Sequence, residues 1–593
     1  MALGNISGIA YVVPDDPGHP TVTPEDTKGI AASIAARLRE WGLRLTERVD
    51  NLAARVDAIA GAVGLAPGSP GDSAVSAFIL DSSSRTRTAV DSVVGSAMRP
   101  ILDTGPVHIS RFGAVGDGAT DDTAALVAAG ASGREVHFDA DRTYNFVGPV
   151  TLTAGTRWVT YGAQLYSTTA RDASNIILED EVSVDRLDVS FAGGDVERGV
   201  LIRGSRVDVD WMRLVARAQD TTLNYRQRAM SIGVEGVGCM DVRIGTLICD
   251  GFTYGPAIWD SKDVTIGRLQ VSGYLQGLLI RNSARVEVEG GFAKDPAQSV
   301  LTGGPGENGI LIENTKAGTG AGSITIRDFT VDGAGEHGFR VSGHAIDGVT
   351  FDNCKAVQTG MGTTVASGGC GFKVLGSTSD PSPRNRHRNI RYINCTVEDV
   401  ANKIPSPNCA GFNIGKCHGV VLDNCAVVST VDGQPSAAYG VVMVGSEDVT
   451  IANPRFEKTT GDGIRLDWNE TTSDAQWGGA PTDITITGGR LSGCRAGLSV
   501  SVGGQQVRRL SMIGTTIDGV NNAVAAANAT FLWCMLDIVA SNVANDTLSG
   551  CDGFMVRGAG VLKGTSACRI GSTWVDYAGG FKRYAGAAWA LLG

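Results

Sequence analysis

The chain has 593 residues and a formal net charge of −11. That balance argues against a general nucleic-acid or anionic-membrane binder, and no run approaches the ~18 apolar residues of a membrane-spanning helix. Glycine, at 80 residues with aromatics at only 6%, is about twice its usual share of ~7%, which suggests a repetitive β-structure rich in tight turns.

The N-terminal stretch MALGNISGIAYVVP has neither a basic n-region nor a proper apolar h-region, so no secretory signal is expected. Twelve cysteines are scattered without a C-x-x-C pair. Their spacing gives no zinc site, and they read as mostly free, buried, small apolar residues of a protein made in a reducing compartment.

Residues 24–66 change character. Apolar side chains fall at Ile34, Leu38, Trp41, Leu45, Val49, Leu52, Val56, Ile59 and Val63, with Arg and Glu opposite. This is a heptad seam with one stutter, and it predicts an oligomeric coiled-coil helix. The alternative is a helix packed on its own globular domain. PGSPG at 67–71 breaks the helix, and 67–106 reads as a linker with a second helical segment from Asp72 to Met98.

A head follows at 107–180. Within RFGAVGDGATDDTAALVAAG, Gly113, Gly118 and Thr120 have phosphate-loop spacing, but Ala119 stands where a phosphate-binding Lys is needed. Asp117, Asp121 and Asp122 do not keep the alternation of a calcium loop, and no Glu closes it. The stretch reads instead as a strand, a Gly turn and a helix capped by Thr120 or Asp121.

From residue 182 one unit recurs: two β-branched or apolar residues flank one position, then a turn follows. It begins at VSV, VDV, VRI, VTI, VEV, ITI, VTF, IRY, VVL, VTI, ITI and LSM, at steps of 22 to 41 residues. Period-two alternation with dense glycine excludes a helical solenoid. A strand-turn coil of roughly 22 residues with inserted loops fits, and that is a parallel β-helix over 181–548. FDNCKAV, YINCTVE, LDNCAVV and IANPRFE align Asn353, Asn394, Asn424 and Asn453, and Cys354, Cys395 and Cys425. The Asn residues suit left-handed turns and could hydrogen-bond up a column. The cysteines beside them would form an interior column, which explains them better than a metal site. Residues 549–593 form a small β module; Trp574, Tyr577, Phe581, Tyr584 and Trp589 are read there as packing residues first and glycan contacts second.

The segment FGAVGDGATDDTAALVAAG…REVHFDADRTYNF resembles the head of the pectate lyase- and polygalacturonase-like β-helices found in bacteriophage tailspikes. The matching positions are Gly113, Gly116, Asp117, Gly118, Asp121, Asp122, Thr123 and Tyr144, with Ala140-Asp141-Arg142-Thr143 replacing the usual Pro-Gly. The resemblance implies a mainly β fold, a right-handed parallel β-helix whose open end this head caps. It implies a homotrimer in the virion, assembled in the host cytoplasm and attached to the phage tail or baseplate through residues 1–23. It also implies recognition of a host surface polysaccharide, with no cofactor, metal, nucleic acid or membrane insertion. Whether the glycan is also cleaved, by a glycoside hydrolase or polysaccharide lyase activity, stays open. The four polygalacturonase motifs, N-T-D, D-D, G-H-G and R-I-K, are absent as a set; GDGIRL at 461–466 and CHG at 417–419 are single fragments, so catalytic residues do not carry over, and His418 reads as structural.

Sugar sites often pair a flat aromatic with two acids. The insertion GDGIRLDWNETTSDAQWGGAPTD offers Asp462, Asp467 and Glu470 as candidate catalytic residues, with Asp474 beside them and Trp468 and Trp477 as substrate contacts. The competing reading is a solvated loop. A second stretch, VDGAGEHGF, holds Asp332, Glu336 and His337. A third, CDGFTYGPAIWDSKD, holds Asp250, Tyr254, Trp259 and Asp260, with Tyr254 and Trp259 as further substrate contacts. Two other functions remain in view: a free secreted pectinase-type hydrolase or lyase, and a structural tail component without activity.

Overall fold

The structure is a computed structural model. It describes residues 105–168, 174–192, 197–217, 228–297, 308–361, 369–376, 386–400, 409–467, 480–502, 506–527 and 530–542, and the backbone of short strands at 2–6, 9–13, 545–549, 552–558, 573–576, 580–584 and 589–591. The chain separates into two units, Met1–Thr104 and Gly105–Gly593. In the first, Ala2–Ile6 and Ile9–Val13 form an antiparallel hairpin. The expected coiled coil at 24–66 and the second helical segment lie outside the described residues.

The second unit is a right-handed parallel β-helix, the hand that parallel crossovers take in nearly every fold. Fifteen strands, one per coil, run in strict chain order from Val150–Leu152 to Asn545–Ser549 and make the front sheet. The return strands make the back sheet. Its early strands are long and continuous, as in Met240–Asp250 and Lys262–Ser272. In the middle coils each is split in two, as in Asp347–Asp352 with Lys355–Val357, or Cys417–Asp423 with Ala426–Val428.

The split falls at the Asn column. Asn353, Asn394, Asn424 and Asn453 all have positive φ, between 50° and 53°, a conformation Asn tolerates better than most L-residues. The ladder of side chains forms in part: Asn424 donates to Asn394 at 3.4 Å, while Asn353 donates to Asp328 instead. The cysteine that follows turns inward, and its thiol donates to the carbonyl two residues back: Cys354 to Asp352, Cys395 to Ile393, Cys425 to Asp423. A small apolar residue with a weak donor therefore suits this corner. All ten cysteines among the described residues are free and buried.

The interior is built of columns. Phe339, Phe372 and Phe412 are register partners on consecutive front strands; their rings stack at 4.5 and 5.0 Å, nearly parallel. Each fully buried side chain of this size contributes ~1.5–3 kcal/mol of transfer free energy. A second column is made of glycine. Gly255, Gly277, Gly309, Gly338, Gly371, Gly411, Gly440 and Gly463 open the front strands, and a Cβ at each would lie within 1.9–3.0 Å of the next glycine's carbonyl oxygen. Side chains of the back sheet fill the space, so that a Cβ on Gly371 would also lie 2.4 Å from Val397.

The head covers the first coil. Ile109–Phe112 form a 3-10 turn and Thr123–Gly130 an α-helix that packs on Val150–Leu152. This helix begins later than expected, and its N-cap is Asp122, not Thr120 or Asp121. The reason is local: Asp117 accepts from the amides of Ala119 and Thr120, Asp121 accepts from the amide of Thr123, and buried Asp122 accepts from Val115 and Gly116. The acids of the G-D-G-A-T-D-D-T stretch are thus spent on backbone amides, which holds Asp117 and Asp121 below the usual carboxylate range. At the other end, Asp552–Gly558 and Thr573–Asp576 continue the back sheet in parallel, and Gly580–Tyr584 and Trp589–Leu591 close it antiparallel.

Candidate functional site

The residue after each opening pair in the front strands points outward, because side chains alternate across a strand. The pattern is G-φ-x-φ: GLLI, GILI, GFRV, GFKV, GFNI, GVVM, GIRL and GLSV. The x positions are register partners on consecutive coils: Leu279, Leu311, Arg340, Lys373, Asn413, Val442, Arg465 and Ser499. They make one strip on the side of the front sheet away from the core; Leu279, Asn413, Val442 and Ser499 are buried there, and Leu311, Arg340, Lys373 and Arg465 are half-buried. The three stretches singled out from the sequence all reach its edge. Tyr254, His337 and Asp462 each stand one residue before the glycine column, in different coils.

At the upper end, Trp259 is 8% exposed and packs with Ala257 and Leu279, with Tyr254 and Leu311 beside them. Two guanidinium groups lie over its ring, Arg281 at 4.6 Å and Arg228 at 5.4 Å from the centroid. Arg281 is held by Glu313, with Nε donating at 2.9 Å. Burial pushes the Arg228 pKa down, and the charge of Arg198 adds to that. Trp259 is therefore mostly covered, and its polar surroundings are what this end presents. Asp260 accepts from the Gly236 amide and pairs with Lys316, and Asp250 accepts from Ser272.

In the middle, Glu336 and His337 sit in the corner before Gly338, both buried. The Cys370 amide donates to His337 Nδ1 at 3.0 Å, which puts the imidazole proton on Nε2. Burial drives the His337 pKa down to about 4, so the ring is neutral at pH 7. Burial also works to raise the Glu336 carboxyl, but contact with His337 and the charges of Arg340 and Lys373 outweigh it and bring the pKa down to about 2. Arg340 reaches Glu336 through one terminal nitrogen at 3.1 Å. Asp332 is exposed, at the end of the back-sheet strand Phe329–Asp332.

At the lower end, Arg465 donates to Asp467 at 3.1 Å and to the Tyr439 hydroxyl at 3.0 Å. Asp462 is fully buried and accepts a two-pronged pair from Arg495 at 2.9 and 2.8 Å. Asp462 and Asp467 begin and end one strand. Five residues of strand is about 16 Å, beyond the ~5–9.5 Å that a pair of glycosidase carboxylates keeps. Glu470, Asp474, Trp468 and Trp477 lie outside the described residues.

No protein-family model matches the chain, and no curated protein matches it. Solved structures do. The pre-mature gene product 12 of bacteriophage phi29 is 14% identical, with a TM-score of 0.49, over 82% of this chain and 61% of that one. This chain thus spans less than two thirds of that protein's length. Tailspike protein 3 of bacteriophage CBA120 is 11% identical at a TM-score of 0.35, over 83% of this chain and 70% of that one. The tailspike protein of E. coli bacteriophage HK620, solved as a mutant with a hexasaccharide, is 13% identical at 0.38, over 77% and 79%.

Sequence reading missed Arg340, Lys373, Asn413, Tyr439, Arg465 and Arg495. The G-φ-x-φ pattern was available as a signal for four of them; it aligns Arg340, Lys373, Asn413 and Arg465 at x. Among the described residues, no group of three or more His, Cys, Asp or Glu side chains is arranged to hold a metal ion.

Proposed function

We propose that this chain is the receptor-binding spike of a bacteriophage tail and that it recognises a host surface polysaccharide along the outer strip of the front sheet. The observation that carries the reading is the strip itself. On a scaffold whose repeats favour apolar columns, one outward column holds Arg340, Lys373 and Arg465, with buried Asn413 and Val442 between the last two and Tyr439 and Asp467 beside it. A polymer of repeating sugars laid along the helix axis would meet the two cationic rungs of Arg340 and Lys373, about 4.8 Å apart, and then Arg465 three coils on. The head motif, which resembles that of tailspike β-helices, supports the same reading. In it, three chains associate and residues 1–23 attach the spike to the phage tail.

A second reading, cleavage of the bound polymer, is favoured by one observation. Glu336 is a buried carboxylate kept ionised beside a neutral imidazole, the charge state a nucleophile needs, though a pKa of about 2 makes it a weak base. Asp467 and Glu470 of the 461–483 segment are the other carboxylates this reading would use.

The test is incubation of the purified protein with a panel of bacterial capsular and cell-wall polysaccharides. Binding is read by co-sedimentation and oligosaccharide release by mass spectrometry. The expected result is retention of at least one polymer by the wild type, weakened at least tenfold in Arg465→Ala. No retention across the panel, together with undiminished phage adsorption to host cells stripped of surface glycan, overturns the recognition reading. Release that vanishes in Glu336→Gln but survives Asp467→Asn and Glu470→Gln places the cleavage reading at the middle of the strip.

A further inference from the structure

Two cations stand side by side at the centre of the strip. Arg340 and Lys373 are register partners, so their strands lie about 4.8 Å apart. Like charges directly opposite on neighbouring strands are destabilising. Glu336 offsets one of them, through a single terminal nitrogen of Arg340. The remaining donors are not spent. Arg340 Nε is buried without a hydrogen-bond partner among the described residues, and His337 Nε2, also buried, has only a long 3.4 Å contact with Glu336 Oε1. Lys373 makes no hydrogen bond or ion pair among the described residues, yet its charge acts on both Glu336 and His337. His337 is 0% exposed, and leaving a buried donor unpaired costs about 1–3 kcal/mol.

The strip also opposes the chain as a whole. On the strip and beside it, Arg340, Lys373 and Arg465 face two carboxylates, Glu336 and Asp467, on a protein of net charge −11. An excess of cation with idle donors is the chemistry that receives an oxyanion. A neutral sugar hydroxyl would satisfy a donor but would leave the paired cations uncompensated.

We propose that Arg340 and Lys373, backed by buried His337, form a binding site for an oxyanion carried by the polymer, a carboxylate or a phosphate diester, and that the spike therefore selects acidic over neutral polysaccharides. The selectivity half rests on the reading of the strip as the polymer's path; the oxyanion site itself does not.

Two arms test it on the full-length protein. In the first, titration calorimetry compares oligogalacturonate with its methyl ester, and dextran bearing phosphate diesters with plain dextran. The acid form of at least one pair is expected to bind at least tenfold tighter than its neutral match, and which pair responds identifies the anion. Lys373→Gln should abolish that preference with an unchanged melting temperature, and Lys373→Arg should restore most of it. In the second arm, crystals are soaked in selenate, and anomalous density is sought beside Arg340 and Lys373 in wild type and in Lys373→Gln. A peak lost in the variant supports the site even if no polymer binds, in which case the polysaccharide reading falls and the oxyanion site stands. Equal affinity for acid and neutral forms with no peak overturns the site while leaving polysaccharide recognition intact. A preference that persists in Lys373→Gln also overturns the site.

Discussion

The two faces of the same front strands obey opposite rules. Phe339 and Arg340, Phe372 and Lys373, and Phe412 and Asn413 are neighbours in the chain and face in opposite directions. In a parallel in-register sheet each side chain meets its equivalent on the next coil, so repetition is rewarded or penalised according to what is repeated. Inside, repetition stacks three phenylalanine rings. Outside, it sets cation beside cation. The back-sheet corner shows that the outer surface can avoid this: there Glu181 meets Arg206, Asp263 meets Arg285 and Asp483 meets Arg509, acid and base on consecutive coils. The interior and the back corner are arranged for the fold. The front strip departs from that arrangement, as expected where a surface serves something other than stability.

Substitutions should separate the two faces most sharply at adjacent residues. Phe372→Ala removes the middle ring of the stack and is expected to lose about 3–5 kcal/mol, while Lys373→Ala, one residue on, should stay within about 0.5 kcal/mol of wild type. Denaturant unfolding of both variants checks the contrast, and equal losses would break it.

Acid should find the interior next. His387 is buried; the Ile346 amide donates to its Nδ1 at 3.2 Å, and its Nε2 faces the Leu375 carbonyl at 3.1 Å. Burial lowers its pKa to about 4. Unfolded, the ring takes a proton near pH 6.5; folded, it refuses one until about pH 4. The unfolded state therefore binds more protons in that window, and stability should fall as pH drops from 6.5 to 4, by on the order of 3 kcal/mol. Melting temperature against pH should show that slope, to which His337 adds a like share because burial lowers its pKa to about 4 as well, and His387→Gln should roughly halve it.

A smaller effect is expected in the glycine column. Gly371→Ala presses a methyl into Val397 and the Gly411 carbonyl and should cost about 1–3 kcal/mol, with binding changed only as far as the strip shifts. Smallest of all, Arg509→Ala at the exposed back corner should unfold indistinguishably from wild type at physiological salt, because screened surface pairs contribute little. A clear loss there would mean that the outer ladders, and not the columns within, carry the stability of the helix.

Much of this was legible in the chain. Period-two alternation, the glycine content and the head motif determined a parallel β-helix with a capped end. The N-C dipeptides at 353, 394 and 424 determined a left-handed turn followed by an inward thiol. These are local properties: each depends on a few neighbouring residues, and repetition writes them many times. The site was legible only in fragments. The VDGAGEHGF stretch brought Glu336 and His337 into view, but not Arg340 and Lys373 beside them, and Asp462 and Asp467, adjacent on the page, stand at opposite ends of a strand. Coils differ in length from 22 to 41 residues, so separation along the chain does not say which outward side chains meet. That is decided by the backbone hydrogen bonds between coils, which bring Arg340, Lys373 and Asn413 into one column whatever the length of the loops between them.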